Sequence, residues 1–265
     1  MNENKAENKT GENRFKRARF IPPLSVLGGL CLWEVLVRLS NYPAFILPAP
    51  SRIFERFLSA SRAGILWPNV WVSFYEVLLG LLIGTSAAVI AGYVLAHSPI
   101  AEKIIFPYIV VSQAIPLAAI APLLIIWFGS GVRPKIVICS LVVFFPLLIN
   151  ILVGYRELER NLSDLMTSMK AGRWARLRYL EIPGTLPVVL GGLRISATLS
   201  VIGAVVGELS GADAGLGYLI NIARGQYDTA LVFVAVIMLM LIALVLYGSV
   251  MLLEKKLLVW NESEY

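Results

Sequence analysis

The chain has 265 residues, of which 58% are hydrophobic and 15% charged, with a mean hydropathy of +0.76 and a formal net charge of +6. Soluble domains carry about a quarter charged residues, so this composition excludes an ordinary soluble protein and points to a polytopic helical membrane protein. The basic residues lie between apolar runs, which argues against nucleic-acid binding, and Cys31 and Cys139 sit inside apolar segments as small packing residues, not as disulfide or metal ligands.

Residues 1–19 are polar and aperiodic and end in Arg14, Lys16, Arg17 and Arg19, the pattern of a disordered cytoplasmic tail. No small-residue cleavage site follows the first apolar run, so a cleaved signal peptide is not expected. An apolar run of about 20 residues matches the hydrocarbon thickness of a bilayer. Phe20–Leu39 is the first predicted span, interrupted by Glu34 and Arg38, which are four apart and able to pair. Pro43, Pro48 and Pro50 then break the helix. Ser51 is the expected N-cap of a surface helix over Arg52–Ser61, with Ile53, Phe54, Phe57 and Leu58 on its apolar face.

Trp71–Ala96 is the second predicted span, where Gly80 and Gly84 form a small-xxx-small pair that permits close helix contact. His97 lies at its end as a helix C-terminal cap. Ile104–Phe128 is the third, interrupted by Pro107, Pro116 and Pro122. Freed carbonyls are tolerated only where protein or a wet cavity satisfies them, so Ser112, Gln113 and Pro116 are candidates for lining a pathway, with interhelical hydrogen bonding the other role open to Ser112 and Gln113. Gly129–Lys135 reads as a tight outer loop, and Ile136–Val153 as the fourth span. Gly184–Gly207 is the fifth; its Gly191, Gly203 and Gly207 predict backbone-to-backbone packing at a bundle centre or dimer seam. Arg194 in it is placed to snorkel toward the interface. Glu208 is expected in an outer loop, either at a gate or along the path or as a simple solvated cap, with a hairpin-like Leu216–Ile222 beyond it. Thr229–Leu253 is the last span, closed by Glu254, Lys255 and Lys256. Fifteen basic residues fall on the predicted cytoplasmic side, against six outside, which sets both termini inside and gives six spans.

Between the fourth and fifth spans lies a polar island, Tyr155–Pro183, holding Arg156, Arg160, Lys170, Arg173, Arg176 and Arg178. Leu158, Leu162, Leu165, Met166 and Met169 recur at helical spacing. Lys170-Ala171-Gly172 ends that helix; Trp174, Leu177, Leu180 and Ile182 give a second apolar face, which Pro183 is expected to stop. Two short helices joined by a turn make a docking surface.

This island resembles the cytoplasmic coupling loop of bacterial ABC-importer membrane subunits, the binding-protein-dependent permeases. Their pattern is Glu-Ala-Ala, a glycine four residues on, and Ile-x-Leu-Pro about nine residues further. Leu180-Glu181-Ile182-Pro183 is similar to the last part, and Ala171-Gly172-Arg173-Trp174 to the family's Ala-Ser-Arg-Trp. Asp164-Leu165-Met166 replaces Glu-Ala-Ala and Lys170 occupies the glycine position, so the turn is expected at Gly172. Leu47-Pro48-Ala49-Pro50-Ser51 resembles a stretch of the sulfonate, nitrate and taurine permeases, whereas Leu180 to Tyr218 resembles more the permeases for thiamine-precursor pyrimidines and riboflavin.

The resemblance implies a six-helix, type I importer (MetI-like) fold. It also implies a symmetric pair of permeases in the bacterial inner membrane, a dimer of ATPase subunits beneath and a solute-binding protein outside. Asp164, Leu165, Met166, Lys170, Ala171, Gly172, Arg173, Trp174, Leu180 and Pro183 would then engage the ATPase. The chain has no Walker sequence, so no cofactor is expected on it, and ATP with its magnesium belongs to the partner. Sequence signatures of an intramembrane enzyme or of an ion-coupled carrier are missing.

Overall fold

A computed structural model describes residues 25–40, 43–158 and 160–258, with the backbone alone of Arg160 and Asn161. The expected N-terminal tail, the start of the first span and residues 259–265 lie outside the described residues. All the regular structure among the described residues is helical: α1 (25–39), α2 (Pro50–Arg62), α3 (Leu66–Ala96), α4 (Pro99–Ser112), α5 (Leu117–Phe128), α6 (Val132–Arg156), α7 (Arg160–Ser168), α8 (Arg173–Arg176), a π turn (Leu177–Glu181), α9 (Ile182–Leu209), α10 (Leu216–Gly225) and α11 (Thr229–Leu257).

α6 is the spine. Gly80, Gly84 and Gly92 of α3 face Cys139, Val143 and Ile151, so α3 runs parallel to α6 in strict register. Ala88 completes this stripe at zero exposure, extending the predicted Gly80–Gly84 pair by two turns. On the other flank α9 runs antiparallel: Gly192 meets Asn150, Gly203 meets Cys139, and Gly207 meets Lys135 and Ile138. Cys139 is thus clamped between two glycines. A Cβ at Gly80 would stand 2.1 Å from the Cys139 Cβ, and one at Gly203 would stand 2.9 Å from its Cα. Between helices that share an apolar solvent, such close approach is the source of cohesion. Gly191, expected in this seam, faces open space, and Gly192 takes its place.

Six spans are expected; among the described residues, α3, α6, the Arg173–Leu209 run and α11 are each long and apolar enough to cross a membrane alone. The predicted third span is not straight: α4 and α5 meet at 98°, with Gln113 closing α4 and Pro116 capping α5. α4 starts beside Arg156 and α5 ends against Ile138 and Gly211, at opposite ends of α6, so the bent pair traverses the bundle as a fifth crossing. Pro107 and Pro122 stay inside helices. The predicted first span, 20–39, is described only from residue 25.

Four local expectations are corrected. Ser51 does not cap α2; Pro50 opens the helix, and the Glu34 carboxylate takes the Ser51 N–H at 3.0 Å and its hydroxyl at 2.8 Å while also pairing with Arg38. A carboxylate satisfies the orphan donors of a first turn better than a hydroxyl does. Lys135 is not in an outer loop, because α6 starts at Val132 and buries it. Leu216–Ile222 is helical, part of α10. Pro183 does not stop the helix: a proline ring clashes with the carbonyl four residues back, and the π turn just before it absorbs the misfit, so Arg173–Leu209 runs on as 37 residues.

Candidate functional site

The polar island folds into a lever at one end of the bundle. α7 ends at Ser168, and the chain reverses at Lys170, whose φ of +52° lies in the left-handed region. The turn therefore sits at the position where the family pattern has glycine, not at Gly172, which is extended and caps α8. Arg176 donates to the Ser163 hydroxyl at 2.8 Å, holding α8 against α7.

The lever presents an apolar face to solvent. Leu165 is 55% exposed, Met169 70% and Trp174 70%, with Leu162 beside them. Asp164, Lys170, Gly172 and Arg173 are exposed too, Met166, Ala171 and Pro183 are half-buried, and Leu180 is buried. Large apolar side chains left uncovered outside the spans mark an interaction surface.

The lever is fastened to the spans by a carboxylate that sequence reasoning passed over as the variable residue of Leu-x-Ile-Pro. Glu181 is 3% exposed. Its Oε1 lies 3.2 Å from Arg176 Nε and 3.3 Å from Nε2 of His97, the residue that caps α3; Tyr155 of α6 donates to Oε2 at 3.5 Å. Five-residue spacing puts Arg176 and Glu181 on one side only where the backbone makes a π turn, which is why helical periodicity did not reveal the pair. His97 is thus a cap, as expected, and also a bridge. Outside this knot Arg156 pairs with Glu102 and lies over the Phe106 ring, and Leu158 fills the space above Gly184. A polar cavity of about 280 Å³ opens among His97, Glu102, Tyr155, Arg156, Arg176 and Glu181. Further along α9, Arg194 pairs with Glu254 instead of snorkelling alone.

At the opposite end Glu208 is enclosed, at 1% exposure, and belongs to α9 rather than to a solvated loop. It accepts from Ser73 Oγ at 2.5 Å and from the Gly217 N–H, while Ser73 accepts from the Leu216 N–H at 2.7 Å and Asn69 from Gly215 at 2.8 Å. These groups together cap α10. The Glu208 carboxylate fills the space where side chains at Gly215 and Gly217 would be. Lys135 pairs with Glu76 beside it. This buried ionic cluster is absent from the sequence reading because its members are far apart in the chain. Midway, Gln113 and Pro116 are exposed at the α4–α5 break, and Ser112 turns back to its own helix, donating to Ile109 O at 2.8 Å.

The family model of the binding-protein-dependent transport system inner membrane component matches residues 80–259, from the glycine stripe of α3 to beyond α11, the lever included. The riboflavin transport system permease protein RibX of Chloroflexus aurantiacus is 44% identical over 241 residues, 91% of this chain and 90% of that protein. The formylaminopyrimidine transport permease protein ThiX of Halalkalibacterium halodurans is 30% identical over 92% of this chain and 96% of that protein. Among solved structures, a chain of the inward-facing MetNI methionine ABC transporter superposes with a TM-score of 0.57 at 18% identity, covering 71% of this chain and 96% of that one; this likeness speaks to the fold.

Proposed function

The chain belongs to the binding-protein-dependent transport system inner membrane components, the multi-pass permease subunits of ABC transporters, and from that premise we propose that it carries riboflavin or a thiamine-precursor pyrimidine inward. ATP is hydrolysed by a separate subunit, which grips the lever through Leu165, Met166, Met169 and Trp174, with Asp164, Lys170 and Arg173 around them. Two copies of the chain pair around the path, and the open face at Gly191 is offered to the second copy. A solute-binding protein docks at the opposite end and delivers the solute. Both termini and the lever are cytoplasmic, in keeping with the excess of basic residues there. Gln113, with Ser112 and Pro116 around it, lines the path at the bend, where an exposed amide stands beside an interrupted helix. Glu208 is assigned to the capping of α10 and not to the path.

The observation that carries this reading is the lever itself: an apolar face uncovered outside the spans and fastened through Glu181 to α3 and α6, on a chain whose sequence has no Walker motif. The choice of solute leans on the relative named for riboflavin, which shares more residues with this chain than the one named for formylaminopyrimidine. Titrating the cognate binding protein with riboflavin, formylaminopyrimidine and taurine tests it. Tight riboflavin or pyrimidine binding is expected, whereas binding of taurine alone would redirect the assignment to sulfonates. ATP-dependent uptake by the reconstituted complex completes the test, and uptake that persists without any ATPase would replace the importer with a carrier.

A further inference from the structure

We propose that Glu181 is the positioning residue through which movement of the lever reaches α3 and α6, a role that rests on the reading of this chain as an ATP-driven permease.

Three elements converge on this one carboxylate: Arg176 from α8, His97 from the end of α3, and Tyr155 from the last turn of α6. The side chain is nine-tenths buried and more, and a carboxylate out of water is tolerated only while its partners stay in place. Thr185, a turn further on, donates to the Glu181 carbonyl at 2.7 Å, so the residue's backbone is also fixed to α9. If the lever turned and took Arg176 away, Glu181 would lose its guanidinium partner while its own side chain stays shut off from solvent. The group therefore moves together or comes apart.

The position of the contact gives it mechanical sense. Between the lever and the long helix α9 the backbone has one irregular joint, the π turn Leu177–Glu181, and such turns are the places where helices shift and bend. The Arg176–Glu181 pair spans that joint from one end to the other and locks it. The His97 and Tyr155 contacts then carry the same rigid unit sideways, into α3 and α6, which pack on each other along the glycine stripe of α3. Without the lock, the lever's motion would be spent at the π turn.

The test uses the full permease assembled with its ATPase in lipid nanodiscs, without solute. Spin labels are placed on Thr167→Cys, exposed on α7, and Ile100→Cys, exposed in the first turn after His97, in a Cys31→Ser background. In the wild-type background a single label distance, unchanged between the nucleotide-free and vanadate-trapped ATP states, is expected. In Glu181→Gln that constancy is lost and the distance shifts or broadens on trapping. Arg176→Gln, which alters the solvent side of the same contact, reproduces the loss, and the double variant adds nothing to it. Unchanged melting temperatures separate this loss from mere unfolding. If both variants keep the wild-type distance in both states while the ATPase stays bound, the Glu181 role is overturned and the permease reading stands. If the wild-type chain holds no ATPase at the lever, the permease reading falls, and this role with it.

Discussion

Lys135 Nζ stands 2.8 Å from Glu76 Oε1, and both side chains are shut off from solvent, Glu76 at 0% and Lys135 at 3% exposure. The lysine also donates to the Ala214 carbonyl at 3.2 Å, so one buried cation ties α3, α6 and the approach to α10 together. Removing one member of a buried pair leaves the other charged and unpartnered, at a cost of about 3–5 kcal/mol. Lys135→Met should lower the thermal unfolding midpoint in detergent accordingly. Lys135→Met with Glu76→Gln should recover part of that loss, because no lone charge remains.

The clamp on Cys139 makes two glycines unequal. Gly80→Ala collides with the Cys139 side chain, whereas Gly203→Ala collides with its backbone. Each should cost about 1–3 kcal/mol by overpacking. Cys139→Gly should relieve the first and not the second, a difference readable as recovery of the melting midpoint. Gly191→Leu, pointing into open space, should leave the melting of the chain unchanged. A loss of self-association in that variant, measured by sedimentation, would place the second copy on this face.

Lys170 holds a left-handed backbone conformation that costs a side-chain-bearing residue about 1–2 kcal/mol. Lys170→Gly should therefore stabilise the turn by about 1 kcal/mol, seen as slower amide exchange across 165–175. Lys170→Val should destabilise it and quicken that exchange.

Leu165 and Trp174 rest on nothing that their removal would collapse, since most of each side chain is exposed. Leu165→Ala and Trp174→Ala should leave melting unchanged and weaken ATPase retention. Central interface residues of this kind cost about 2 kcal/mol or more on truncation, so co-purification at matched expression should fall steeply. Full retention in both variants would move the contact elsewhere on the loop.

The sequence by itself determined what local chemistry determines: apolar runs long enough to span a bilayer, the basic island between them, the Gly80–Gly84 stripe, and a loop pattern specific enough to indicate the family. Helical periodicity found the lever's apolar residues because they recur within one short segment. What the tertiary structure decided depends on distance along the chain or on a departure from the regular helix. The Glu76–Lys135 pair and the Glu208 cap join residues brought together only by packing. Glu34 reaches α2 across a turn that proline signals alone do not resolve. Pro183 reads as a stop until the π turn before it makes room, and the same turn sets Glu181 beside Arg176. A regular period of 3.6 residues cannot register a contact that exists because the helix leaves that period.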